Sequence, residues 1–99
     1  MINQPGTLIS RIPDQLSVEL SGEIAILNLR SKLYFGLTDV GAFIWNLLEK
    51  PTAMAKLAQS VTEHFEVGAE QAAADTEAFL RDLSKAGLLE IEPHGGAAG

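Results

Sequence analysis

The sequence predicts an α+β domain, winged-helix-like, in which a three-stranded antiparallel sheet is followed by three helices. Three observations carry that prediction. Between residues 16 and 37, short apolar segments are separated by turn signals, the pattern of hairpin-linked strands. From Val40 to Ala86 the apolar residues recur three and four positions apart, the period of helices packed on one face. That helical stretch is cut at Lys50-Pro51 and again at Val67-Gly68, which divides it into three.

Residues 1–15 carry Pro5, Gly6 and Pro13 and no sustained period, so they read as an irregular lead-in, with Leu8-Ile9 and Ile12 able to form a short extended piece. Leu16-Ser-Val-Glu-Leu20 alternates apolar and polar, the signature of a half-buried strand, and Ser21-Gly22 turns the chain. Glu23 to Leu29 is apolar on both faces and suits a central strand; Arg30-Ser31 turns it back into Lys32–Leu37, the third strand. Thr38 stands where an N-cap belongs, with Asp39 facing the helix dipole. Val40, Phe43, Ile44, Leu47 and Leu48 then follow at helical spacing, while Gly41 and Ala42 keep the first turns thin enough for a close neighbour.

Thr52 caps or precedes a second helix with Met54, Leu57, Ala58, Val61 and Phe65 on one face. A third runs from about Glu70 to Ala86, with Ala72, Thr76, Phe79, Leu80 and Leu83 inward and Gly87 as its left-handed C-terminal cap. Leu88–Ile91 reads as a short closing strand or an extended tail. The expected organisation is therefore a lead-in (1–15), one domain (16–91) and a disordered tail (92–99).

The third strand has a neighbour on one side only, since nothing after it reads as a strand to cover its other edge. An apolar edge strand is an aggregation hazard unless something is meant to pair with it. Along the third helix, Ala72, Asp75, Phe79, Asp82 and Ala86 share a stripe that is apolar in the middle with a carboxylate on either side. If the helix packs alongside the open strand, the two form a groove with a hydrogen-bonding wall and an apolar wall, which suits an extended peptide adding as a further strand. Tyr34, Phe79 and Leu83 would select side chains, and Asp75 or Asp82 would hold a basic or polar group. Spacing alone favours Phe79 and Leu83 as ordinary core and the carboxylates as a solvated face over such a groove, and dimerisation can equally close the edge.

Other function classes are disfavoured. A net charge of −6, with seven scattered basic residues, opposes the phosphate neutralisation on which DNA binding depends. The third helix bears more carboxylates than bases, so a winged-helix transcriptional regulator, or a protein partner of one, is the weaker alternative. There is no cysteine for thiol or zinc chemistry, and His64 and His94 lie outside any ligand spacing; His64 reads as a surface residue at a helix end. No catalytic residue, metal or cofactor is expected. No apolar run reaches the roughly 20 residues of a membrane span, and the first residues lack a signal-peptide pattern, so a cytoplasmic protein without membrane contact is expected.

Gly22-Glu-Ile-Ala-Ile-Leu-Asn-Leu29, Tyr34-Phe-Gly-Leu-Thr-Asp-Val-Gly-Ala-Phe-Ile-Trp45, Asp75 with Phe79-Leu80, and Ala86-Gly-Leu-Leu-Glu90 together resemble the PqqD-like family over residues 16–91. The resemblance implies a RiPP recognition element, a non-catalytic peptide chaperone of natural product biosynthesis. Such a domain binds the leader of a ribosomally made precursor peptide as an extra strand and delivers it to a modifying enzyme. Carried over by position, the peptide-binding residues would be Lys32, Leu33, Tyr34, Phe35 and Gly36 of the strand with Asp75, Thr76, Phe79, Asp82 and Leu83 of the helix. The Gly-Glu-x-x-x-Leu-Asn-Leu opening resembles stand-alone proteins of lasso peptide clusters, whose partner is a leader peptidase. A radical SAM enzyme, as in pyrroloquinoline quinone biosynthesis, is the next partner implied, and the adaptor itself would be a monomer or weak homodimer. Where the family often has glycine, this chain has Ser31-Lys32.

Overall fold

In the computed structural model, which describes residues 6–92, strands β1 (Leu8–Arg11), β2 (Gln15–Leu20), β3 (Glu23–Asn28) and β4 (Leu33–Leu37) precede helix α1 (Asp39–Leu47). A two-residue strand β5 (Thr52–Ala53), helices α2 (Met54–Phe65) and α3 (Ala69–Lys85), and strand β6 (Leu89–Glu92) complete the chain. The predicted α+β class holds, with the antiparallel meander β2-β3-β4 followed by three helices.

Local chemistry explains the meander. Ser21 and Gly22 both take positive φ, 54° and 82°, the two-residue turn whose twist matches that of the strands it joins. Asn28 Oδ1 accepts the Arg30 and Ser31 amides at 2.9 and 3.3 Å and so folds the second turn, which ends with Lys32 at φ 66°. That left-handed conformation is the one in which glycine costs nothing.

Cross-strand register sorts the two faces. Ser17, Ile26 and Phe35 stand side by side on the face toward the helices, as do Glu19, Ile24 and Leu37. On the other face, Leu16, Leu27 and Tyr34 form one row and Val18, Ala25 and Gly36 the next.

A second sheet, in the order β5-β1-β6, corrects the reading of residues 1–15 as irregular. Leu8 and Ile9 pair with both Thr52–Ala53 and Ile91–Glu92, and Ile9 and Ile12 are buried. One inward residue in a four-residue strand leaves no period to read, and both partners are distant in sequence. Glu92, assigned to the tail, is the last residue of β6; the rest of the predicted tail, with His94, lies outside the described residues.

The helix boundaries fall close to those predicted, and Thr38, Thr52 and Gly87 stand where they were expected, though neither threonine makes a side-chain cap bond. Thr38 occupies the N-cap of α1 without a side-chain bond; its carbonyl accepts the Gly41 amide at 3.0 Å. Thr52 is in β5, and its hydroxyl donates to the Leu47 and Lys50 carbonyls. The left-handed residue that ends α2 is Glu66, while Gly68 is the N-cap of α3. Gly87 caps α3 as expected: its amide donates to Ser84 O and that of Leu88 to Leu83 O, both at 3.0 Å, a Schellman closure.

The core has two connected parts. Ile9, Ile44, Leu57, Val61 and Leu80 pack between the helices and the β1 sheet; Ile26, Leu37, Trp45, Leu83 and Leu88 pack beneath the meander. Phe79 touches both. Trp45 is fully buried, donates from Nε1 to Ser17 Oγ at 3.1 Å, and carries the Arg11 guanidinium 4.6 Å above its ring.

Candidate functional site

β4 ends the meander with one edge unpaired among the described residues, and α3 runs beside that edge. Between them lies an open groove of about 550 Å³, lined by Tyr34, Phe35, Gly36, Leu37 and Thr38 from the strand and its end, Gly41 from α1, and Phe79, Asp82 and Leu83 from α3. Sequence alternation sets the strand wall. Phe35 and Leu37 turn toward the core, while Tyr34 and Gly36 face outward, Tyr34 being 75% exposed. The helical period sets the other wall: Leu83 is buried in the core beneath the meander, Phe79 is half-buried, and Asp82 is exposed at the rim. The wall stands close because Gly41 has no side chain; a β-carbon there would lie 3.0 Å from Phe79 Cε1.

Of the ten residues singled out from the sequence, six line this groove: Tyr34, Phe35, Gly36, Phe79, Asp82 and Leu83. The other four stand elsewhere. Lys32 and Leu33 are exposed at the turn and the start of β4. Asp75 is exposed one turn before Phe79, and both its oxygens accept from Gln71 Nε2 at 2.9 Å. Thr76 is fully buried, and its hydroxyl has no hydrogen-bond partner among the described residues. Ala72 and Thr76 are core, as their inward spacing predicts, because the inward arc of α3 is wide enough to include Ala72 of the stripe. Leu37, Thr38 and Gly41 are groove residues that the sequence reading did not assign. The thin first turn at Gly41 was the available signal.

Chemically, the groove offers unpaired backbone donors and acceptors along one side, an apolar floor of Phe79 and Leu83, and one carboxylate at the lip. A smaller hollow of about 230 Å³ lies at the other end of the meander, between β2 and α1. Arg11 borders it, but its guanidinium is spent on the Trp45 carbonyl, with Nε at 3.1 Å and Nη2 at 2.5 Å. Burial lowers the Arg11 pKa, and Glu49 opposes that shift. His64 is exposed in the last turn of α2 and stacks on Phe43, ring centroids 4.3 Å apart, away from the groove. Among the described residues no cluster of potential metal ligands occurs, and no helix is long and apolar enough to cross a membrane.

The family described as Coenzyme PQQ synthesis protein D (PqqD) matches residues 23–89, which span β3 through the start of β6. Two solved structures are similar over most of both chains. One is TbiB1 in complex with the TbiA(beta) leader peptide, 30% identical, with a TM-score of 0.77 over 82% of this chain and 94% of that one. The other is a lasso peptide synthetase B1 complexed with the leader peptide, 26% identical, with a TM-score of 0.73 over 83% and 96%. No curated protein matches the sequence significantly.

Proposed function

The chain belongs to the PqqD family, and from that premise we propose that it is a non-catalytic adaptor that captures the leader of a ribosomally made precursor peptide and presents it to a modifying enzyme. The observation that carries the reading is the groove between an unpaired strand edge and α3. An extended segment placed there gains backbone hydrogen bonds along β4 and buries its side chains against Phe79 and Leu83, which is strand addition with side-chain selection. Asp82 at the lip favours a leader with a basic or hydrogen-bond-donating residue at that point. The two similar structures are both leader complexes, which supports the same class of ligand here.

Backbone pairing is blind to sequence, so selectivity rests on the few side chains that meet Tyr34, Phe79 and Leu83. A Kd in the micromolar range, about −8 kcal/mol, is expected after the cost of ordering a disordered leader. A leader peptidase of a lasso peptide pathway is the first candidate partner, because one similar structure is a lasso peptide synthetase component. A radical SAM enzyme of a pyrroloquinoline quinone-type pathway is the second.

An amide-shift NMR titration with leader peptides of candidate precursors tests the proposal. Shifts concentrated in residues 33–41 and 75–83 are expected. The absence of shifts with every leader tried would overturn it.

A further inference from the structure

We propose that the free edge of β2 is a self-association surface, on which a second copy of this chain pairs its own β2 antiparallel. The result is one continuous sheet through both copies, with a groove left open at each end. The meander has two unpaired edges among the described residues, and only the β4 edge has α3 beside it. Bulges, prolines and lysines are devices that keep an edge strand from pairing. β2 has none of them: Gln15–Leu20 runs in unbroken register with β3, and its Leu16, Val18 and Leu20 are 58, 53 and 65% exposed.

The backbone sets the register. The two-residue turn at Ser21-Gly22 makes Leu20 and Glu23 a hydrogen-bonded pair, so Leu16, Val18 and Leu20 direct their backbone groups to β3. Those of Gln15, Ser17 and Glu19 point to the free edge, but the Gln15 amide already donates to the Pro13 carbonyl at 3.0 Å. A two-fold axis through Val18 sets Ser17 opposite Glu19 of the second copy, and the two exchange both bonds through unengaged groups. An axis through Ser17 would call on the Gln15 amide instead. The Val18 register also sets Leu16 beside Leu20 of the second copy and Val18 beside its own counterpart, so that apolar meets apolar.

Side-chain chemistry identifies the occupant. Glu19 is the one charged residue of β2, and it forms no ion pair among the described residues. Opposite it stands Ser17 of the second copy, whose hydroxyl is bonded to Trp45 Nε1 beneath the Arg11 guanidinium. The incoming carboxylate therefore reaches the hollow of about 230 Å³ that Arg11, Ser17 and Trp45 border. Symmetry makes this contact twice, as a two-fold interface requires. A lone peptide fits less well, because the hollow beside β2 is lined mainly by polar groups and a disordered chain must first be ordered, whereas β2 of a second copy is already a strand. An edge contact buries less than the roughly 800 Å² per partner of a standard interface, and each copy carries a charge of −6, so the dimer is weak and reversible. β2 and the groove lie at opposite edges of the sheet, so this pairing stands or falls independently of leader binding.

The test is sedimentation equilibrium of the full chain from micromolar to millimolar concentration, together with disulfide trapping, for which a chain without cysteine is suited. Val18→Cys falls at a non-hydrogen-bonded pair with Cα atoms about 4.5 Å apart, within disulfide reach, and should form covalent dimers on mild oxidation. Leu16→Cys and Leu20→Cys should crosslink to each other when mixed and poorly to themselves. Val18→Lys should weaken self-association about tenfold or more. Glu19→Gln, which serves if Val18→Lys folds poorly, should weaken it about threefold. A wild type that stays monomeric at millimolar concentration overturns the pairing, as does a dimer indifferent to both substitutions or a Val18→Cys variant that does not crosslink. Amide shifts in residues 15–20 on addition of a leader peptide, with the dimer lost, would also overturn it by assigning the β2 edge to the peptide.

Discussion

The edge of the Phe79 ring rests against the bare Cα of Gly41, so that a β-carbon on Gly41 would lie 3.0 Å from Phe79 Cε1 and 3.4 Å from Cζ. The first turn of α1 and the middle of α3 therefore meet without an intervening side chain, beside the open edge of β4. Phe79 is packed on both parts of the core, and its free side is the groove. A methyl group at position 41 displaces the ring toward that free side.

Gly41→Ala is accordingly expected to narrow the groove more than it harms the fold. Alanine in a helix gains about 1 kcal/mol over glycine, which offsets a similar cost of crowding the ring. Thermal melts should differ by only a few degrees, on the scale of about 4–8 °C per kcal/mol for a domain of this size. Leader affinity, read by titration, should fall about tenfold. Undiminished affinity would show that the ring yields inward rather than into the groove.

Phe79→Ala removes the apolar wall itself. Full burial of a phenylalanine is worth about 3–5 kcal/mol on truncation, and a half-buried ring less, about 2 kcal/mol, so the fold should survive. Titration at a temperature where circular dichroism reports a folded variant should show leader binding weakened about tenfold or more. Wild-type affinity in that folded variant would count against the groove as the binding site.

Thr76 was assigned to the peptide site by position, yet it is fully buried and its hydroxyl has no partner among the described residues. An unsatisfied buried hydroxyl costs about 1–3 kcal/mol, and valine has nearly the same shape. Thr76→Val should raise the urea midpoint by an amount corresponding to about 1 kcal/mol, with leader affinity unchanged. Lower stability would mean the hydroxyl has a partner in solution, and lower affinity would return Thr76 to the site.

The meander, three helices and open β4 edge were legible because each rests on a local signal: alternation from Leu16 to Leu20, the Ser21-Gly22 turn, the cut at Pro51 and the Gly87 cap. The β5-β1-β6 sheet was not, because its strands are two to four residues long and pair across more than forty positions. A period cannot be read in so few residues. The groove's α3 wall of Phe79, Asp82 and Leu83 was legible from helical spacing, but spacing does not say which arc a neighbouring sheet covers. Thr76, placed inward by spacing and in the site by the resemblance, is in the core, while Asp75 stands in solvent one turn before Phe79. Thr38 and Gly41 were missed because they reach the groove from the strand–helix junction, where neither period applies; Leu37 was read as part of the open strand but not as a groove residue.

Lys32 tests the turn before β4. Its φ of 66° costs a non-glycine residue about 1–2 kcal/mol, while glycine returns about 0.4–1 kcal/mol to the unfolded chain as entropy. Lys32→Gly should therefore stabilise by about 0.5–1 kcal/mol in a denaturant titration. Lys32 does not line the groove, so leader affinity should hold; a clear loss would mean that the ammonium group contacts the leader.

Asn28 ties the two walls of the groove together. Its Nδ2 donates to the Ala86 carbonyl at 2.9 Å, at the end of α3, while Oδ1 holds the Arg30 and Ser31 amides of the turn into β4. Its own carbonyl accepts the Lys32 amide at 2.7 Å. Asn28→Ala strands a buried carbonyl and two turn amides, and is expected to cost about 2–3 kcal/mol, seen as a lower denaturation midpoint with an unchanged m-value. Asn28→Asp keeps the acceptor for the turn but sets a carboxylate oxygen against the Ala86 carbonyl, so it should loosen the strand–helix clasp selectively. Hydrogen exchange should then quicken at Gly87 and Leu88 while the Arg30 and Ser31 amides stay protected. Leader affinity should fall in both variants, because a groove built on two elements binds only as well as their spacing is held. If Asn28→Asp binds leader like the wild type, the spacing is set elsewhere, and the Phe79–Gly41 contact is the next place to look.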